Sequence, residues 1–201
     1  MLKLANILTL SRLVLAPVFV VLFVLPSGWA AVAALGTAAM IEMTDLLDGF
    51  VARRLGQVSS LGKLIDPLAD SISRFSVFLA FTTDRSVAAD VWPVLLVVLI
   101  FYRDTLVAYT RTFAASSGIV LAARLSGKLK ALVQGAGILS FLAWRAAAFY
   151  EPSLDSLRRS VFYAVMIPIV LVTVWSAFDY VLSNWAAILA LSHPDSRMHR
   201  L

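Results

Sequence analysis

Four aspartates stand in two pairs in the first half of the chain. Asp45 and Asp48 are three residues apart, and Asp66 and Asp70 are four apart. On an α-helix, either spacing puts both carboxylates of a pair on one face. Carboxylate oxygens are ligands that magnesium and manganese prefer, and a pair of such ions is a common device for displacement at phosphorus. The two pairs therefore predict a site for two divalent cations and for chemistry at a phosphate.

Small residues accompany these aspartates. Gly49 and Ala52 lie on the helix face of the first pair, and Gly62 begins the helix that carries the second pair. Small side chains let neighbouring helices approach closely. The connection between the two helices is short, so we expect them to be antiparallel neighbours whose carboxylates face each other. Arg53, one turn beyond Gly49, is placed to direct its guanidinium at a phosphate.

The alternative interpretation of the aspartates is a set of structural ion pairs. An aspartate at the centre of a membrane helix costs about 2.5–3.5 kcal/mol, so each one must be neutralised by some partner. The basic residues near them in the sequence are Arg53, Arg54, Lys63 and Arg74. A single Asp–Arg pair would favour this interpretation, but four acids at these spacings, with glycines between them, favour a cation site.

The composition requires these helices to lie in a membrane. Of 201 residues, 61% are apolar and 14% are charged, against roughly 45–50% and about 25% in average soluble proteins. These values exclude an ordinary soluble globule and a disordered chain, and the lack of cysteine excludes a disulfide scaffold and a thiol nucleophile. We predict one all-α domain over residues 1–201, a polytopic integral membrane protein with six transmembrane helices. The helices are predicted at about 7–25, 30–54, 61–82, 91–113, 129–149 and 161–189.

Lysine and arginine are distributed unevenly between the two ends of these helices. Both termini and the loops after the second and fourth helices carry ten basic residues, against four on the other side (Arg85, Arg145, Arg158 and Arg159). Basic loops of membrane proteins remain in the cytoplasm. We therefore expect a multi-pass protein of the inner (cytoplasmic) membrane, with both termini and the aspartate site on the cytoplasmic side.

The aspartates belong to a longer motif that resembles a known family. The pattern D-x2-D-G-x2-A-R-x8-G-x3-D-x3-D of the CDP-alcohol phosphotransferases is matched without a gap by Asp45, Asp48, Gly49, Ala52, Arg53, Gly62, Asp66 and Asp70. The resemblance implies a six-helix membrane fold. It also implies a reaction in which a CDP-linked donor, such as CDP-diacylglycerol, gives its phosphatidyl group to a second alcohol and releases CMP.

The resemblance also assigns roles to residues. It implies that all four aspartates bind two divalent cations, magnesium or manganese, and that Asp70 is the catalytic residue that deprotonates the acceptor hydroxyl. The residues it implies for CDP-lipid binding are Asn6, Thr9, Gly49, Ala52, Arg53, Ser59 and Gly62. A homodimer is a further expectation from the family. Partners are then CDP-diacylglycerol, an alcohol acceptor and the lipid bilayer, with no nucleic acid.

Three further stretches resemble the bacterial phosphatidylglycerophosphate synthases of this family. They are the N-x2-T-x2-R opening from Asn6 to Arg12, the segment Tyr102-Arg103-Asp104 with Arg111, and Gly127-Lys128-Leu129-Lys130 followed by Gln134. Asp104 stands where those enzymes have Glu, and Ala131 stands where they have Thr. The resemblance favours glycerol 3-phosphate as the acceptor.

Basic residues in these stretches form a predicted acceptor site. Arg103 and Arg111 lie on the fourth helix, and Lys128 and Lys130 lie at the cytoplasmic end of the fifth, so together they suit a small anionic alcohol. Inositol phosphate would be attracted by the same charges, and serine or choline acceptors remain as alternatives. Simple anchoring at the membrane surface would also explain Lys128 and Lys130, and an ion pair with Asp104 would explain Arg103. Outside the enzyme class, intramembrane carboxylates leave a cation transporter as an alternative.

Overall fold

The computed structural model describes residues 4–54, 60–119, 121 and 124–192, with side chains described for 7–48, 54, 65–119, 121 and 124–189. Within these residues the chain is all-α, as predicted, and no strand is formed. Six α-helices and one short 3-10 helix follow in order: α1 Leu4–Val24, α2 Gly28–Arg54, α3 Ser60–Thr82, α4 Trp92–Ser116, α5 Leu125–Tyr150, the 3-10 helix Pro152–Leu157 and α6 Arg158–Ser192.

The fifth helix begins earlier than predicted. The sequence predicts a fifth helix from about residue 129, with Lys128 just before it and Lys130 in its first turn, whereas α5 starts at Leu125 and includes both lysines in its interior. Lysine is a good helix former, and Lys130 lies buried in the helix with a carboxylate partner. The charge of these residues therefore does not mark the end of the helix.

Five of the helices are long and apolar enough to cross a membrane, namely α1, α2, α4, α5 and α6. The α3 helix has 23 residues and is therefore long enough as well. Its first half carries the second aspartate pair and Arg74 follows one turn after Asp70, so charged residues interrupt the apolar sequence. The chain is thus a multi-pass membrane protein, while the span of α3 stays a prediction.

Each helix packs mainly on two others, so that the six form a ring in the order α1, α2, α5, α6, α4, α3. In this ring α1 lies between α2 and α3, and those two touch each other little. The prediction that α2 and α3 are packed directly on each other is therefore wrong. The short connection brings them close in sequence, but α1 is inserted between them, and its buried arginine needs anionic partners from both sides.

Aromatic side chains fill the core at the end of the ring away from the aspartates. Phe81 contacts Phe23 of α1 and Phe141 of α5, with ring centroids 5.6 and 4.7 Å apart. Phe162 of α6 meets Phe141 edge to face at 5.6 Å. Such aromatic pairs contribute about 0.5–1.5 kcal/mol each beyond the area they bury. This core holds four of the helices together, so the other end of the ring can carry charged groups.

Candidate active site

The four predicted aspartates meet around one side chain of α1, Arg12. The Arg12 side chain is fully buried, and its Nη1 donates a hydrogen bond to Asp45 Oδ1. Its Nη2 donates to Asp48 Oδ2 and to Asp66 Oδ1, the latter at 2.7 Å. Asp70 Oδ1 lies 3.9 Å from Nη1. Because a buried guanidinium is costly unless anions surround it, Arg12 draws the carboxylates of α2 and α3 to a common place.

A second arginine, Arg74 of α3, joins the same group of acids. Its Nε donates to Asp70 Oδ1 at 2.8 Å, and its Nη2 donates to Asp45 Oδ2 at 3.3 Å. Its Nη1 lies 3.5 Å from Glu42 Oε1. Glu42 fits here because α5 has Gly135 opposite it, where an added Cβ would be only 2.7 Å from Glu42 Oε2. Arg74 therefore fixes the orientation of the Asp70 carboxylate.

The charges of this cluster do not balance. When ionised, the four aspartates and Glu42 supply five negative charges, and Arg12 and Arg74 supply two positive charges. Among these described side chains, three negative charges are left without a cation. In the described residues, no group of three or more acidic or histidine side chains already surrounds a point as metal ligands would. The donor set nevertheless fits divalent cations, because its ligands are hard oxygens and its excess charge is negative.

The aspartate cluster opens into a cavity of about 390 Å³. Asp45, Asp66 and Asp70 line it. The same cavity is lined by all four residues predicted to bind the acceptor, namely Arg103, Arg111, Lys128 and Lys130. The exposed fractions of the Asp66 and Asp70 side chains, 51% and 39%, show that their carboxylates are accessible from the cavity. One cavity thus offers carboxylates and cations to the same small molecule.

Two of the four basic residues are held in place by Asp104 of α4. Lys130 Nζ donates to Asp104 Oδ2 at 2.8 Å, and Arg103 Nη1 donates to Asp104 Oδ1 at 3.2 Å. The Lys130 side chain is only 7% exposed, so simple anchoring at the membrane surface does not describe it. Arg111 and Lys128 are exposed. Within the described residues neither has a carboxylate within 4 Å, and Arg111 lies over the Tyr180 ring at 5.8 Å.

Thr9 lies at the aspartates, whereas most of the predicted CDP-lipid-binding residues cannot be described. The buried Thr9 hydroxyl is 3.4 Å from Asp48 Oδ2 and from Asp66 Oδ1. Ser59 lies outside the described residues. The helices include the remaining five, but their side-chain surroundings lie outside the described set: Asn6, Gly49, Ala52, Arg53 and Gly62.

Sequence reasoning missed the residues that hold the cluster together. Arg12 closes the N-x2-T-x2-R pattern one turn after Thr9, and this spacing was the available signal for it. Glu42 stands one turn before Asp45 in the sequence, and its ion-pair partner is Arg74, thirty-two residues away. Asp179 of α6 accepts hydrogen bonds from Arg124 and from Ser126 at the start of α5. Those partners are more than fifty residues away in sequence, so no local spacing rule identifies them.

Comparison with known proteins agrees with the motif. The family model described as CDP-alcohol phosphatidyltransferase matches residues 2–176. A Bacillus subtilis (strain 168) protein named CDP-diacylglycerol–glycerol-3-phosphate 3-phosphatidyltransferase is 30% identical over 204 residues, covering 94% of this chain and 98% of its own. Proteins of the same name from Yersinia pestis (strain Pestoides F) and Treponema pallidum (strain Nichols) are 31% and 36% identical. Those two matches cover 90% and 70% of this chain, and 94% and 64% of the relatives. The resemblance identified from the sequence is confirmed, and the chain belongs to the CDP-alcohol phosphatidyltransferase family.

Proposed function

We propose that this transferase moves the phosphatidyl group of CDP-diacylglycerol to glycerol 3-phosphate, releasing CMP and forming phosphatidylglycerol phosphate. The observation that carries the proposal is the cavity that is lined both by three of the motif aspartates and by five cationic side chains, the four predicted ones and Arg124. An anionic acceptor is attracted by these cations, and its hydroxyl is then close to the carboxylates. The names of the bacterial relatives support the same pair of substrates.

In the proposed reaction Asp70 is the general base. Its carboxylate takes the proton of the acceptor hydroxyl while that oxygen forms a bond to the phosphorus of the phosphatidyl group. The bond from this phosphorus to the CMP oxygen breaks, and CMP leaves with the electron pair. Arg74, which donates to Asp70 Oδ1, keeps the base oriented. Because an accessible aspartate is a weak base, most of the acceleration must come from positioning and from charge stabilisation.

The four aspartates are the proposed ligands of two divalent cations, magnesium or manganese. Such ions, when bound, neutralise the diphosphate and stabilise charge at the attacked phosphorus and on the leaving group. The excess of negative charge around Arg12 supports this assignment. The donor nucleotide is assigned, on the family motif, to Asn6, Thr9, Gly49, Ala52, Arg53, Ser59 and Gly62.

Further parts of the proposal rest on the family and on charge distribution. We assign the chain to the inner membrane as a single domain over residues 1–201, with six membrane spans and a homodimeric assembly. Both termini and the aspartate end face the cytoplasm in this proposal, because that side carries most of the lysine and arginine. CDP-diacylglycerol would then enter the site from the cytoplasmic leaflet.

The function is tested by offering different acceptors to the purified chain. With CDP-diacylglycerol and magnesium, we expect CMP release with glycerol 3-phosphate and little with serine or choline, because the cavity is lined by cations. Inositol phosphate is the competing acceptor, since it carries the same kind of charge. CMP is measured separately with each alcohol. Release with inositol phosphate alone would overturn the choice of acceptor, and no release with any alcohol would overturn the reaction.

Replacing Arg111 with alanine should weaken acceptor binding more than donor binding. Arg111 lines the cavity and has no carboxylate partner within 4 Å among the described residues, so its charge is available to the acceptor phosphate. A hydrogen bond to a charged group is worth about 1.5–3 kcal/mol, which predicts roughly a tenfold rise in the KM for glycerol 3-phosphate. The KM for CDP-diacylglycerol should change by less than about threefold, because the lost hydrogen bond is assigned to the acceptor and not to the donor.

The matched control is Arg159→Ala, which removes an arginine at the other end of the bundle, where it pairs with Asp90. That variant should leave both KM values unchanged. Equal increases in the two KM values of Arg111→Ala would contradict the assignment of Arg111 to the acceptor.

A further inference from the structure

A second cavity lies at the opposite end of the ring from the aspartates. It has a volume of about 470 Å³. The end of α1 forms one wall, and Phe23 there is eleven residues beyond Arg12, or about 16 Å along the helix. The loop after α3 and the end of α5 form the rest, together with the 3-10 helix. This cavity is therefore separate from the proposed transfer site.

Three arginines line this cavity, and two carboxylates partly neutralise them. Arg158 donates to the fully buried Asp84 through Nε and Nη2, the shorter contact being 2.7 Å. Burial alone would raise the pKa of Asp84, but the hydrogen bonds and charge of Arg158 outweigh it and hold that pKa below its ordinary value. Arg85 pairs with Asp155 at 2.5 Å. Both carboxylates are thus committed to Arg158 and Arg85.

Arg145 is the third arginine of the cavity, and it has no carboxylate of its own among the described residues. Its Nη2 donates to the carbonyl oxygen of Phe23 at 2.7 Å, and its guanidinium lies 4.1 Å from the centre of the Phe23 ring. The nearest carboxylate recorded for it is Asp84, 3.6 Å from Nε, which Arg158 already binds. Among the described residues, Nε and Nη1 of Arg145 have no hydrogen-bond partner although both atoms are buried. A guanidinium held in this way carries a charge that an anion in the cavity would stabilise.

The rim of the cavity is apolar and lies where helices end. Val24, Leu25 and Phe149 line it and are exposed. The exposed Trp29 and Tyr150 lie at the neighbouring helix ends, and aromatic residues in such positions mark the boundary between hydrocarbon and headgroups. A ligand seated here would have its anionic group among arginines and its apolar part along the rim. These are the two parts of a phospholipid.

We propose that this cavity binds the phosphate of an anionic phospholipid headgroup, in the leaflet opposite to the aspartate site, with Arg145 as the main contact. The shared chemistry is a phosphate anion, and the apolar rim favours a lipid over free phosphate. The role is that of a lipid-binding site outside the transfer reaction, and it does not depend on the substrates proposed for that reaction.

The test titrates the purified full-length chain in a neutral detergent with dioctanoyl phosphatidylglycerol, and follows Tm by tryptophan fluorescence. Binding to the folded state raises Tm with ligand concentration. We expect Arg145→Gln to weaken the apparent affinity for this lipid about tenfold or more, as the loss of a charged hydrogen bond does. Arg159→Gln is the matched control, because it removes an arginine at the same end that does not line the cavity. Its affinity should stay within about threefold of the unaltered chain, since only diffuse surface charge is lost.

Two further ligands identify what the cavity recognises. Dioctanoyl phosphatidylcholine should stabilise the chain less than phosphatidylglycerol, because its ammonium group faces arginines. Inorganic phosphate should bind more weakly than the lipid, because it makes no contact with the apolar rim. If phosphate matched the lipid at equal concentration, the lipid assignment would be overturned. Equal loss of affinity in Arg145→Gln and Arg159→Gln would overturn the site itself.

A second variant keeps the test decisive if Arg145→Gln does not fold. Arg85 is 69% exposed and contributes little to packing, and its removal leaves Asp155 facing the cavity without that partner. Arg85→Gln should therefore fold and should bind phosphatidylglycerol several-fold more weakly than the unaltered chain, in line with the loss of one cation near a headgroup. An unchanged affinity in this variant would contradict the proposal.

Discussion

Replacing Asp70 with asparagine is expected to reduce CMP release by about a thousandfold, within the range that a general base contributes. Asparagine keeps the shape of the side chain and one oxygen, but it cannot accept the hydroxyl proton. The rate of CMP release with saturating CDP-diacylglycerol and glycerol 3-phosphate measures the effect. Binding of CDP-diacylglycerol, measured at equilibrium without acceptor, should remain within about tenfold of the unaltered chain, because three other aspartates still serve the donor.

The control for this prediction is Asp90→Asn, the same change in an aspartate at the other end of the bundle from the proposed transfer site, where it binds Arg159 and Tyr163. It should release CMP at the normal rate. Turnover of Asp70→Asn within tenfold of normal would reject Asp70 as the base. Loss of donor binding together with turnover would also contradict the prediction, since it would make Asp70 primarily a donor ligand.

The sequence predicts the aspartate faces because their information is local. Spacings of three and four residues determine which side of a helix carries the carboxylates, and the structure gathers the four acids at one place. The sequence does not predict how the two aspartate-bearing helix faces are brought together. A short connection suggested that α2 and α3 pack on each other, and nothing local to it indicates that α1 passes between them. That arrangement depends on Arg12, which belongs to another helix.

For the predicted acceptor-binding residues, too, the sequence predicts local contacts and not distant ones. Arg103 and Asp104 are adjacent in the sequence, so their ion pair can be predicted, and the structure contains it. The contact of Lys130 with Asp104 joins residues twenty-six positions apart, and it makes Lys130 a buried group instead of an anchor at the membrane surface. Burial of a lysine depends on the tertiary partner that neutralises it. Hydropathy and charge along the chain do not identify that partner, so the sequence alone leaves anchoring at the membrane surface open as an explanation of Lys130.

Replacing Arg12 with glutamine should make the stability of the chain depend strongly on divalent cations. Removing one partner of a buried ion pair costs about 3–5 kcal/mol, and for a chain of this size that corresponds to a fall in Tm of roughly 10 °C. Here three carboxylates lose their shared donor at once. In the presence of EDTA we therefore expect Arg12→Gln to unfold well below the unaltered chain, as measured by tryptophan fluorescence of the purified protein.

Magnesium chloride should then restore at least half of the lost Tm in Arg12→Gln, because cations that bind the folded state stabilise it. Sodium chloride at equal ionic strength should restore much less, which separates binding from screening. In EDTA, the Tm of Arg12→Lys should lie between that of Arg12→Gln and that of the unaltered chain. One ammonium group cannot reach all three carboxylates as the planar guanidinium does. The control Arg159→Gln, whose arginine is exposed and pairs only with Asp90 among the described residues, should show no fall in Tm and should respond to magnesium as the unaltered chain does. If magnesium chloride raised the Tm of Arg12→Gln no more than sodium chloride of equal ionic strength, the carboxylates around Arg12 would not be a site for divalent cations, because stabilisation by specific binding exceeds that by screening.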